Sequence, residues 1–159
     1  MKTKEFTITE DLLATREQRF LNFIIDLGIL YVIIASFETT VVIVADLTRN
    51  FELSSWVKSM TLIEKLPFAI LIAILYFGLT EIYFSRTVAK YLTKTIVVTK
   101  EGSRPKTQQI IIRTLTRFIP LEGLTFLSSN IRGLHDLFSN TYVVKKHEFN
   151  NKKGAILFP

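Results

Sequence analysis

Cysteine is absent from the 159-residue chain, which excludes disulfides, thiolate nucleophiles and cysteine metal sites. Histidine occurs only at His135 and His147, a pair without metal-ligand spacing. There is no glycine-rich phosphate loop and no G-x-S-x-G elbow, and the serines and threonines lack a recognisable base partner. Neither an enzyme nor a cofactor or bound metal is expected. The first 19 residues, "MKTKEFTITEDLLATREQR", have neither the apolar stretch nor the small-residue cleavage site of a secretory signal. The first apolar run is therefore expected to act as its own insertion signal.

What the chain has instead is length of apolar run. Mean hydropathy is +0.32. From Phe20 to Ala45 the strongly polar side chains are Asn22, Asp26 and Glu38 alone, and from Leu66 to Phe84 the one acid is Glu81. Crossing about 30 Å of hydrocarbon takes roughly 20 mainly apolar residues. Both stretches qualify, and spans are expected at about 20–45 and 63–85. Two buried core helices would be the soluble alternative, but so short a chain has too little else to cover them.

Charge placement gives orientation. The net charge is +6. Arg86, Lys90, Lys94, Lys100, Arg104 and Lys106 crowd the segment after the second run, and Lys2, Lys4, Arg16 and Arg19 precede the first. The loop between them is nearly neutral at its middle and carries Trp56, an interfacial residue type. Positive charge stays inside, so the amino terminus and the 86–107 segment are both expected to face the cytoplasm. There the basic loop would meet anionic lipid head groups rather than nucleic acid.

Along the chain, residues 5–10 alternate apolar and polar and suggest a short strand, as do Thr95–Thr99 and residues 140–144. Three such strands would pair into a small cytoplasmic sheet. A surface helix is expected around Ser54–Met60, and the last ten residues read as loosely ordered. After Pro105 the pattern is helical again, but Pro120 and Gly123 interrupt it. A bent or re-entrant pair of half-helices, 107–119 and 121–130, is one reading; a third complete span is the other. The resulting class is an all-α membrane protein: two transmembrane helices, a third bent segment at about 107–130, and short cytoplasmic strands. Its parts are an amino-terminal segment 1–18, a membrane domain 19–145 and a cytoplasmic tail 146–159.

Three blocks resemble the RDD family of bacterial membrane proteins. "RFLNFIID" is similar to R-x-x-A-x-x-I-D, with Arg19 and Asp26 in place and Asn22 where a small residue is usual. "TVAKYLTKTIVVTKEGSRP" resembles T-x-G-K-x-x-x-G-L-x-V-V-D-x-x-G-x-P. Thr87, Lys90, Val97, Val98, Gly102 and Pro105 match, whereas Ala89 and Lys94 stand in place of glycines and Thr99 in place of an acid. "RTLTR" follows where the family has R-N-L-L-R, matching Arg113, Leu115 and Arg117. "LHDLFSNTYVV" is similar to L-H-D-x-x-[AS]-x-T-x-V-V, matching His135, Asp136, Ser139, Thr141, Val143 and Val144. The resemblance covers roughly residues 9–145. It implies transport-related proteins, with cation/proton exchange for some members, and companions of other membrane proteins for others.

Arg19, Asn22 and Asp26 fall on one helical face. An ionised aspartate facing lipid there costs about 2.5–3.5 kcal/mol, and it is too short to reach the head groups as arginine can. Asp26 is therefore expected to pair with Arg113 or Arg117, as a structural clamp or as a proton or cation site. Asp136 would cap a turn or bind Arg19 or Lys90. Glu38 and Glu81, expected to lie too far apart to touch, and Glu122 beside the Pro120 break are candidate ion-path acids. Two functions stay open: a small cation, proton or solute transporter, which with two spans would need an oligomer, and a non-catalytic subunit of a larger membrane assembly.

Overall fold

A computed structural model describes residues 6–119 and 132–157. The second expected half-helix, 121–130, and with it Pro120, Glu122 and Gly123, lies outside the described residues. Helix α1 is Arg16–Leu47, α2 Phe51–Ser59 and α3 Leu62–Phe84. They are followed by α4 (Val88–Leu92), β1 (Thr95–Thr99), α5 (Thr107–Thr116), α6 (Leu134–Phe138), β2 (Thr141–Lys145) and α7 (Lys146–Leu157). Among the described residues, α1 and α3 are the two helices long and apolar enough to cross a membrane. At 32 and 23 residues they rise about 48 and 35 Å, against about 30 Å of hydrocarbon.

Their starts are written locally. Thr15 and Gln18 exchange backbone-to-side-chain hydrogen bonds of 3.0 and 3.3 Å ahead of α1, and Thr61 and Glu64 do the same at α3, two capping boxes that satisfy otherwise orphaned amides. Asn50 caps α2 by accepting from the Leu53 amide. Helix α2 begins three residues before the surface helix expected around Ser54.

The described chain falls into two compact units. One is Leu27–Tyr76, holding most of α1, all of α2 and much of α3. Its ion pairs are Lys65–Glu38 at 2.5 Å and Lys58–Asp46 at 3.3 Å, all four side chains partly open. The other unit combines the residues ahead of α1, its first turns and the end of α3 with the described residues that follow.

In that second unit β1 and β2 pair antiparallel, Thr95 opposite Lys145 through Thr99 opposite Thr141. The two-residue period of a strand then sorts the side chains. Ile96, Val98, Tyr142 and Val144 face an apolar cluster completed by Leu12, Phe149, Phe6 and Ile8. Thr95, Val97, Thr141 and Val143 take the other face. The strand expected over residues 5–10 is a correction: Phe6 and Ile8 do pack with the period of a strand, but Glu10–Leu12 is a turn of 3₁₀ helix, and only Leu13 bridges to Val144. Lys152 fixes that turn by donating to Thr9 at 2.7 Å and Asp11 at 3.0 Å. The sheet among the described residues is therefore two-stranded. Of the carboxy-terminal stretch expected to be loose, residues 150–157 belong instead to helix α7, although Asn150, Asn151 and Gly154 are poor helix formers. Tertiary contacts override propensity: Phe149 is buried in the cluster, and Lys153 donates to the Gly102 carbonyl at 2.9 Å.

Candidate functional site

Glu81 enters the second unit from the last turn of α3, fully buried. One carboxylate oxygen accepts from Lys90 Nζ at 3.1 Å and Arg117 Nη2 at 2.6 Å, the other from Arg113 Nε at 2.7 Å. Arg113, also fully buried, continues through Nη1 to Asp136 and, at 2.7 Å, to the Thr141 hydroxyl. The second oxygen of Asp136 accepts from Arg19 Nη1 at 2.5 Å. A single guanidinium thus joins an acid at the end of α3 to an acid on α6, and that acid is tied to the start of α1. Only arginine can do this, because its donors are set in a rigid planar fork.

Asp26 holds a neighbouring position. It accepts from the Thr87 hydroxyl at 2.7 Å and the Ala89 amide at 3.4 Å, at the opening of α4. Thr87 also caps α4 by accepting from the Lys90 amide. The pairing expected of Asp26, with Arg113 or Arg117, is corrected at Arg113, whose Nε and Nη1 go to Glu81, Asp136 and Thr141. Arg117 donates to Glu81, with the Asp26 charge also acting on it. The reason is that Glu81 meets α5 directly, while the first turn of α4 supplies Asp26 with donors of its own.

Asn22 completes the α1 face, donating to Thr95 at 3.2 Å and accepting from Thr93 at 2.6 Å. Arg132 donates to the carbonyls of Asp136 and Thr141 and stacks 4.0 Å above the Tyr142 ring; Arg117 stacks 4.1 Å from Phe77. Burial pushes the Lys90 ammonium down to about 8, even with Glu81 and Asp26 opposing. Burial likewise drives His135 well below its usual range, so the imidazole stays neutral although it lies 3.4 Å from Asp136. For Asp136 burial acts against the charge, but the Arg113 and Arg19 guanidinium groups outweigh it and hold the carboxyl well below the ordinary range.

Of the residues singled out in the sequence, Arg19, Asn22, Asp26, Arg113, Arg117 and Asp136 come together here. Thr87, Lys90, His135 and Thr141, picked out only by their motif positions, belong to the same cluster. Gly102 and Pro105 do not: Gly102 makes a left-handed turn at φ 69, where an added Cβ would sit 2.7 Å from the Phe6 ring, and Pro105 lies just ahead of α5. Glu38 lies in the other unit, paired with Lys65. Glu81, grouped by sequence with the ion-path acids, is the hub of the ion pairs. Thr93 and Thr95 were missed; the threonines 95 and 99, on one face of a valine-rich strand, were the available signal. Among the described residues, no three metal-ligating side chains converge.

An apolar pair of long helices that ends in a buried ionic cluster defines a membrane-type domain, since ionisable groups in such helices must face protein or water. The RDD family model matches residues 13–142, and the chain belongs to that family. No curated protein and no solved structure matches it.

Proposed function

We propose that this RDD protein is a small transport-related component of the bacterial inner membrane, amino terminus inside, that moves a cation, a proton or another solute as an assembly of several copies. The supporting observation is where charge is missing. Between Leu27 and Phe37 of α1, and between Leu66 and Thr80 of α3, no residue is charged, and most large apolar side chains there are exposed. Among the described residues these stretches offer no charged group to a passing ion, so passage would run where copies meet. In this reading the ion cluster is the clamp that sets the helix ends, because carboxylates held by guanidinium groups are fixed in their charged state. The basic surface beside it would rest on anionic lipid.

A second reading, a non-catalytic assembly subunit of a larger membrane complex, is favoured by the double tether at Arg113, which suits a permanent scaffold. Copy number in mild detergent, followed by cation-dependent proton flux in vesicles for wild type and Asp26→Asn, separates the two. Flux in wild type, abolished in folded Asp26→Asn, supports transport. No flux from either form, with loss of assembly in the variant, supports the scaffold.

A further inference from the structure

We propose that α4, α5 and α6 form a collar lying at the boundary between head groups and acyl chains of one leaflet, which sinks the ion cluster below the lipid surface. The inference rests on the membrane reading of α1 and α3 and adds the depth at which the second unit sits.

All three short helices are inside out by the standards of a soluble protein. Helix α4 buries Ala89 and Lys90 and exposes Tyr91 and Leu92, at 62% and 60%. Helix α5 buries Arg113 and Thr114 beside Ile110 and exposes Ile111 and Ile112; α6 buries His135 and Asp136 and exposes Leu137 and Phe138. In water the charges would turn outward and the leucine, isoleucine and phenylalanine inward. Against hydrocarbon the observed order is the favourable one.

Three observations select lipid as the occupant. The exposed apolar surface continues along the chain from Ile82, Tyr83 and Phe84 at the end of α3 to Val88 in α4. Arg86 stacks 4.5 Å from the Tyr91 ring, a pairing suited to an interface, where the ring meets acyl chains and the guanidinium reaches phosphate. Exposed Lys94 and Lys106 follow α4 and precede α5, placed to meet anionic head groups. Helix α7 of the same unit has the opposite arrangement: Phe149 turns inward while His147, Asn150 and Asn151 are exposed. The apolar exterior therefore belongs to the collar and not to the unit as a whole.

The absence of native cysteine makes the test direct. Single cysteines at Leu92, Ile112 and Phe138 carry nitroxide labels in the full chain, in vesicles of phosphatidylcholine and phosphatidylglycerol. Tyr31 and Ile70 serve as mid-helix references and Asn150 as the aqueous one. Collision rates with oxygen and with a water-soluble nickel chelate are then compared. Collar labels should keep oxygen collisions and lose nickel collisions, as the mid-helix labels do and the Asn150 label does not. Collar labels open to nickel, with the mid-helix labels protected, would overturn the collar and leave the membrane reading intact. Collar labels shielded from both reagents would mean a protein cover and would equally overturn it. Nickel access at Tyr31 and Ile70 as well would remove the membrane reading and the collar with it.

Discussion

The two units carry ion pairs of opposite kinds. In Leu27–Tyr76, Glu38 meets Lys65 and Asp46 meets Lys58 through side chains roughly a third to a half open, one cation to each acid. In the other unit Glu81 and Asp136 are closed off completely, and each is met by more than one cation. Open pairs are screened and worth little, whereas a buried charge that loses its partner is strongly destabilising. What matters in the second unit is thus that neither of these buried acids is left without a cation, not the number of its salt bridges.

The largest effect expected from that contrast is at Glu81. Glu81→Gln strands Lys90, Arg113 and Arg117 around a neutral amide and should cost about 3–5 kcal/mol, the usual loss when one partner of a buried pair is removed. Glu38→Gln, an open pair, should cost at most about 1 kcal/mol. Thermal unfolding of both variants in the same detergent checks this, and equal shifts would break the comparison.

Acid should sharpen it. Folded His135 is held neutral, while the unfolded chain takes up a proton near the ordinary value of 6.5. The unfolded state then binds more protons, so stability should fall as pH drops below about 6.5, by up to about 1.4 kcal/mol per pH unit. Asp136 adds a loss of the same sign only below its ordinary 3.8. Melting temperatures from pH 7 to 5 should therefore fall for wild type and run flat for His135→Gln; parallel slopes would assign the loss to other groups.

The smallest expected effect is at Lys94, which adopts a left-handed φ of 56 between α4 and β1, where the family pattern has glycine. Lys94→Gly removes a strain of about 1–2 kcal/mol but frees the unfolded chain, for a net gain of about 1 kcal/mol or less. A higher melting point with the cluster unchanged is the expected readout.

Much of this was legible in the chain. The two long helices follow from unbroken apolar runs with capping residues at their starts, and β1 from an alternating valine-rich stretch. Arg19, Asp26, Arg113 and Asp136 were visible because charges beside such runs must be compensated. Their pairing was not legible. Asp26 looked like the natural partner of Arg113 or Arg117 because all three were counted from the membrane edge, whereas the choice depended on how α4 and α5 fold back. Nor was α7 legible, since its local sequence disfavours a helix that Phe149 and Lys152 secure through distant contacts.

The sequence by itself determined that two helices would be apolar over most of their length and that most charge would collect towards their ends, because transfer energies act residue by residue and add along the chain. Only the tertiary structure decided that Glu81, not Asp26, receives the guanidinium of Arg113. Hydrogen bonds of under 3 Å are won by whichever donor the fold brings within reach, and that reach is fixed by turns and packing far away in sequence.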